Sequence, residues 1–177
     1  MGEILYEREE LNVRVRELAA EITADYQPLD IDELVVIGIL RGSVLFMGDL
    51  IRAIELPVTI DYMALSSYTR GTRTSGTVRI LKDVSESIAN KHVLVVEDIV
   101  DTGLTLNCLS DILAARKPKS LKICTLLDKP SRRLSPVQVD YIGFAVPDKF
   151  VVGYGLDYDG HYRHLPYIGV LKPEAYS

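Results

Sequence analysis

The run Leu34-Val35-Val36-Ile37-Gly38-Ile39-Leu40 is apolar at every position and offers no polar face to water. A half-exposed strand alternates apolar and polar side chains, so an unbroken run of this kind fits a strand covered on both faces, as in a parallel sheet between helices. Val93-Leu94-Val95-Val96 is a second such run, and residues 58–65, 78–81, 121–127 and 141–145 are further strand candidates. Between them lie helical patterns. Over residues 7–26, Leu11, Val15, Leu18, Ala19 and Ile22 recur at spacings of three and four, and Gln27-Pro28 ends the pattern. Residues 43–54 and 105–116 read as two more helices. Strands alternating with helices predict an α/β fold with a mainly parallel sheet of about five strands. In such sheets a ligand sits beyond the carboxyl ends of the strands, where the chemistry is to be sought.

A chain of 177 residues is long enough for one domain with a proper core and a small appended lobe. Its net charge of -5 argues against nucleic acid as a partner, because phosphate backbones call for a basic stripe. Cys108 and Cys124 fall inside apolar segments without metal-ligand spacing and read as small core residues. The segment Met1-Gly2-Glu3-Ile4-Leu5-Tyr6-Glu7 has no signal-peptide pattern, and Tyr6 stands where a myristoylation site would want Ser or Thr. No run approaches the roughly 18 apolar residues of a membrane span. The expected location is cytoplasmic, with no membrane partner.

After the strand at 93–96 comes Glu97-Asp98-Ile99-Val100-Asp101-Thr102-Gly103-Leu104-Thr105. Adjacent carboxylates at the lip of a buried strand suffer desolvation and mutual repulsion unless a partner offsets them. A divalent cation or a sugar diol is such a partner. Thr102, Gly103 and Thr105 then open a helix. Hydroxyls, a glycine and free amides at the positive end of the helix dipole make an anion cradle. Acids followed by a phosphate cradle describe a site for a magnesium-bound ribose 5-phosphate. The bare Asp101-Thr102-Gly103 triplet, taken alone, is equally an N-cap and turn.

Four other segments carry weaker signals. Arg41-Gly42-Ser43, after the first buried strand, suits a doubly charged anion but is also ordinary turn chemistry. Residues 66–77 are polar throughout, and a loop of about a dozen such residues is functional or disordered. Lys129 ends a strand, where a lysine is commonly just solvated. Phe150, in Pro147-Asp148-Lys149-Phe150-Val151-Val152-Gly153-Tyr154-Gly155-Leu156-Asp157-Tyr158, has a flat face for stacking or for a core.

The stretch Val95-Val96-Glu97-Asp98-Ile99-Val100-Asp101-Thr102-Gly103-Leu104-Thr105 resembles the phosphoribosyl pyrophosphate signature of type I phosphoribosyltransferases. The flanking segments resemble the hypoxanthine-guanine branch, and the likeness runs from about Tyr6 onward. The resemblance implies the type I phosphoribosyltransferase fold: a core over about 34–145, a small hood subdomain from the N-terminal segment and about 146–177, and a mobile lid at 66–77. It implies transfer of a phosphoribosyl group to a 6-oxopurine base, with Mg2+ as cofactor. Glu97 and Asp98 match the pair that holds ribose hydroxyls and metal, and Asp157 a second metal contact. Asp101 matches the proposed general base. Residues Asp101, Thr102, Gly103, Leu104 and Thr105 match the 5-phosphate loop. Arg41 and Gly42 match the pyrophosphate loop, where a strained peptide precedes the basic residue. Ser67 and Tyr68 match the lid's Ser-Tyr pair, and Arg163 a residue that reaches pyrophosphate. Lys129, Phe150, Val151 and Asp157 match the purine site: Lys129 donating to the exocyclic O6, Phe150 stacking, Val151 offering backbone groups.

Three positions depart from the pattern. Leu104 stands where some relatives carry lysine, Arg41 where others have lysine, and Ser43 where others have glycine. His161 is expected at the surface. The implied partners are phosphoribosyl pyrophosphate and purine bases, with a homo-oligomer, dimer or tetramer, as the assembly. A regulator of the same fold that binds nucleotide and nucleic acid is the alternative, and it would want a basic exposed face. A kinase-type nucleotide binder is disfavoured because no G-x-x-x-x-G-K-[ST] loop is present.

Overall fold

In the computed structural model of the chain the described residues are 2–70 and 73–175, with side chains described outside 67–77. A short strand β1 (Ile4–Tyr6) precedes helix α1 (Arg8–Tyr26). The helix starts at a reciprocal cap, in which the Glu7 amide donates to the Glu10 carboxylate at 2.8 Å. It stops where Pro28 tightens the chain into a 3-10 turn, Gln27–Leu29. β2 (Leu34–Leu40), α2 (Val44–Ala53), β3 (Val58–Arg70), β4 (Arg73–Lys82), β5 (His92–Val100), α3 (Leu104–Ala114), β6 (Ser120–Asp128) and β7 (Tyr141–Ala145) follow. Two short strands, β8 (Val151–Val152) and β9 (Ile168–Val170), complete the order.

The main sheet has six strands in the order β4-β3-β2-β5-β6-β7. Five of them run parallel, and β4 pairs antiparallel with β3 at one edge. Both faces are covered, as the unbroken apolar runs predict. Leu34, Val36, Leu94 and Val96 pack with α1 and α2 through Leu11, Leu18, Phe46 and Met47. Val35, Ile37, Val93 and Val95 point the other way, toward Leu106, Leu109 and Leu113 of α3. The period of two along each strand thus feeds two cores.

Two expectations are corrected. Residues 66–77 are read as a loop, yet β3 runs to Arg70 and β4 begins at Arg73, so the backbone forms a long antiparallel hairpin there. Its polar sequence misleads because it lacks the apolar alternation by which a half-buried strand is recognised. The strand expected at 93–96 extends through Val100, and the carboxylates Glu97 and Asp98 lie inside it. They escape the apolar pattern because pairing of β5 with β2 ends at Gly38↔Val96, and one side of β5 is open beyond that point.

The β2-α2-β3 connection winds toward one edge of the sheet and β5-α3-β6 toward the other. Neighbouring strands β2 and β5 therefore flank a topological switch point, where the loops leaving them diverge and open a crevice. A second sheet, in the order β1-β9-β8, joins the two terminal regions. The Gly2 amide donates to the Val170 carbonyl at 2.8 Å, and the Val170 amide to the Glu3 carbonyl at 2.8 Å.

Candidate active site

The crevice holds a cavity of about 330 Å3 lined by Ile39, Leu40 and Leu65 and by Glu97, Asp98, Asp101, Thr102, Gly103 and Thr105. The chain leaves β2 through a cis Leu40–Arg41 peptide, and buried Ser43 donates from Oγ to the Ile39 carbonyl at 2.6 Å. Gly42 packs directly on Asp98, so that a β-carbon there would fall on the carboxylate. Gly103 adopts φ 80 at the N-cap of α3, and its position lies under the Ser135 carbonyl and the Arg133 side chain. A left-handed residue at the turn lets the chain reverse into α3, whose first amides have no carbonyl partner within the helix.

Glu97 and Asp98 are half-buried. Burial, then the neighbouring Asp98 charge, pushes the Glu97 carboxyl well above the usual range, and burial also raises that of Asp98. Among the described residues neither carboxylate stands in an ion pair. Two adjacent desolvated carboxylates that no direct ion pair neutralises fit a hard divalent cation. Among the described residues no cluster of three or more His, Cys, Asp or Glu side chains could hold a metal alone. That suits magnesium, which is commonly held by one or two carboxylates together with water and substrate phosphate.

The segment between β8 and β9 closes on the same crevice. The Arg163 guanidinium donates to the Gly155 carbonyl at 2.6 Å and pairs with Asp157 at 2.7 Å. Asp157 also accepts from the Gly160 amide at 2.7 Å. Gly155 in turn lies against the Gly42 carbonyl, which brings Arg163 and Asp157 near the turn after β2. Arg163 is close enough to Asp98 to oppose the rise in its carboxyl.

A second cavity of about 610 Å3 is lined by Asp101, Lys129, Arg132, Asp148, Lys149, Phe150, Val170, Leu171 and Pro173. Lys129 is buried rather than solvated, and its Nζ donates to the Lys149 carbonyl at 2.7 Å. Phe150 keeps a partly open ring, edge-on to Tyr158 with centroids 5.6 Å apart. The Leu171 amide donates to the Phe150 carbonyl at 2.8 Å, and Val151 faces Val170 in the antiparallel register. The alternation of such a ladder turns the N–H and C=O of Val151 away from β9, toward the free edge. Asp101 lines both cavities.

A family model of the phosphoribosyl transferase domain matches residues 2–159. The chain belongs to the phosphoribosyltransferase family. Among phosphoribosyltransferases it is 54% identical over 172 residues to the hypoxanthine phosphoribosyltransferase of Haemophilus influenzae, covering 97% of this chain and 96% of that protein. It is 51% identical over 177 residues to the hypoxanthine-guanine phosphoribosyltransferase of Staphylococcus aureus, covering 100% of this chain and 97% of the relative. The crystal structure of a hypoxanthine phosphoribosyltransferase from Staphylococcus aureus superimposes with a TM-score of 0.94 at 50% identity, covering 99% of this chain and 94% of the other. The fold is the type I phosphoribosyltransferase fold.

The residues expected from the phosphoribosyltransferase pattern fall into two groups. Glu97, Asp98, Asp101, Thr102, Gly103 and Thr105 line the crevice, with Gly42 touching it and half-buried Leu104 starting α3. Lys129, Phe150 and Asp101 share the second cavity. Arg41 is exposed, and the side chains of Ser67 and Tyr68 lie outside the described residues. His161 is exposed, as expected. Sequence reasoning missed Arg132, Arg133 and Asp148. Arg132 pairs with Asp101 at 2.6 Å, and Arg133 pairs with Asp128 and donates to the Asp101 carbonyl at 3.3 Å. The signal was a pair of arginines directly after Lys129-Pro130-Ser131, where a short turn returns the chain toward the acidic strand.

Proposed function

We propose that the protein transfers the 5-phosphoribosyl group of phosphoribosyl pyrophosphate to N9 of hypoxanthine or guanine, giving IMP or GMP and pyrophosphate, as a purine-salvage enzyme. The observation that carries this reading is the placing of Asp101 on the wall shared by two cavities, one with a phosphate cradle and one with Lys129 and Phe150. A reaction that joins a sugar phosphate to a flat base needs such a shared wall.

The chain's residues divide the work. The turn from Asp101 to Thr105 presents amides and hydroxyls to the 5-phosphate. Arg41, Gly42 and Arg163 receive the pyrophosphate. Keeping water from the anomeric carbon suppresses hydrolysis of an oxocarbenium-like transition state. Phe150 stacks on the base, Val151 offers edge-on backbone groups to it, and Lys129 donates to O6. A cationic donor at that position disfavours adenine, whose amino group presents hydrogens there. Asp101 accepts or shares the proton that leaves the base as N9 bonds to the sugar. Glu97 and Asp98, with Asp157 as a further contact, would hold Mg2+, which supplies charge neutralisation to the departing pyrophosphate.

The relatives' substrates and the acidic cradle support this reading together. A homo-oligomer, dimer or tetramer, is proposed as well, and the exposed Val44 and Leu45 at the start of α2 offer apolar surface for it. Cytoplasmic location is part of the same reading. Among the described residues no helix is long and apolar enough to cross a membrane.

The test is direct. The protein is incubated with hypoxanthine, phosphoribosyl pyrophosphate and magnesium, and IMP and pyrophosphate are measured together. Equal amounts of both are expected, and Asp101→Asn should slow their formation by roughly a hundredfold, the weight of a general base. Absence of nucleotide from the unaltered protein would overturn the assignment; unchanged turnover in the variant would remove Asp101 from its role.

A further inference from the structure

Arg132 lies in the purine-side cavity without a role in the scheme above. It closes a one-turn 3-10 helix, Pro130–Arg132, that follows Lys129 directly, and its amide donates to the Lys129 carbonyl at 3.1 Å. From there its guanidinium spans two carboxylates. Nε donates to Asp101 Oδ1 at 2.6 Å, and Nη1 faces Asp148 Oδ1 and Oδ2 at 3.5 and 3.4 Å. Asp101 and Asp148 come from different parts of the chain, one beside the phosphate turn and one before the stacking Phe150. Both line the same cavity.

The pair is half open to solvent, each side chain 44% exposed. Ion pairs so exposed contribute little to stability, so the arrangement has no strong structural reason to exist. Its effect is geometric. Asp101 would otherwise be a short carboxylate free to rotate at the junction of two cavities. Arg132 engages Oδ1, and Asp101 Oδ2 has no hydrogen-bond partner among the described residues. The Asp101 backbone is fixed separately, by Arg133 Nη1 donating to its carbonyl at 3.3 Å. Main chain and side chain of one residue are thus held by consecutive arginines.

We infer that Arg132 is a positioning residue for the transfer reaction: it holds the Asp101 carboxylate by one oxygen so that the other is presented to the base. This rests on the reading of Asp101 as proton acceptor. A planar guanidinium is suited to the task because it bridges two carboxylates with separate N–H groups, which a lysine ammonium does not reproduce in the same geometry. Asp148 steadies the far side of the fork. The bound purine then meets an oriented acceptor, and the gain appears in the chemical step rather than in binding.

The experiment measures single-turnover nucleotide formation and the KM values for hypoxanthine and phosphoribosyl pyrophosphate, in the unaltered protein, R132A, R132K, D101N and D101N/R132A. R132A is expected to lower the single-turnover rate roughly tenfold, as a misplaced catalytic group does, with both KM values little changed. R132K should recover part of the loss. In the D101N background the same change should have almost no effect, because a residue that acts through Asp101 has nothing left to orient. An equal loss in both backgrounds, an unchanged rate in R132A, or an effect confined to the KM for hypoxanthine would each overturn the inference. If R132A does not fold, R132Q carries the same comparison. An unaltered protein that forms no nucleotide defeats the functional reading itself, whereas an active one indifferent to Arg132 defeats only this inference.

Discussion

Gly42 and Asp98 touch: the α-carbon of the turn after β2 rests on the carboxylate of β5, with no room between them for a methyl group. The turn after β2 and the acidic strand are therefore one packed unit. Gly42→Ala must displace the Asp98 side chain or the turn. Overpacking of this kind is worth about 1–3 kcal/mol in stability. Activity should fall by roughly tenfold or more, since displacement of about an ångström at a site is felt on that scale. Melting and steady-state rates measured on the same sample check it; an active variant with an unchanged KM for phosphoribosyl pyrophosphate would contradict the packing.

Gly103→Ala tests the other turn. Its φ of 80 is left-handed, and a β-carbon would come within 2.8 Å of the Ser135 carbonyl. The backbone penalty alone is about 1–2 kcal/mol. The KM for phosphoribosyl pyrophosphate should rise several-fold while that for hypoxanthine moves little. An isothermal titration with the sugar donor would show the same order of weakening.

Lys129→Ala removes a buried cation whose Nζ donates to the Lys149 carbonyl at 2.7 Å and stands 4.0 Å from Asp148. Hydrogen bonds from charged groups are worth about 1.5–3 kcal/mol. The kcat/KM for hypoxanthine should drop by roughly ten- to a hundredfold, the rate equivalent of that energy. Discrimination against adenine should narrow at the same time. Competition between the two bases in one reaction reads both effects.

Away from the site, Arg116 grips Asp83 through Nη1 and Nη2 of its guanidinium, at 2.7 and 2.8 Å. This hydrogen-bonded pairing holds the Asp83 carboxyl below the usual carboxylate range. A carboxyl depressed in the folded state contributes its stability above its unfolded value, about 4, and loses it as pH falls further through the folded one. Arg116→Ala should therefore melt below the unaltered protein at pH 7, with the gap narrowing as the pH falls below about 4. A gap independent of pH would assign the loss to packing instead.

The buried strands and their helices were legible because each carries an apolar period that no other element would satisfy. Leu34 to Leu40 is an example, and its limits match β2. The acids at Glu97 and Asp98 were legible for the opposite reason, as charges where an apolar strand was still running. The ends of β3 and β4 within 66–77 were not, since their polar sequence carries no apolar period. Strands β1, β8 and β9 were missed because each is only two or three residues long, held by partners far away in sequence. Arg132 was missed for a related reason. Its meaning lies in Asp101 and Asp148, and one residue type in a turn does not announce which carboxylates it will meet.

The strand pairing of Ile4–Tyr6 with Ile168–Val170 has a consequence for how the protein is made. On a ribosome the early strand emerges long before its partner and must wait, while the central sheet can already close. Val170 and Leu171, which line the second cavity, follow all six central strands in the chain and take their place after them. The wall these residues add to that cavity thus forms only after the strands of the central sheet have been made. A fusion partner or deletion at residues 2–6 would disturb that wall while leaving the six central strands intact.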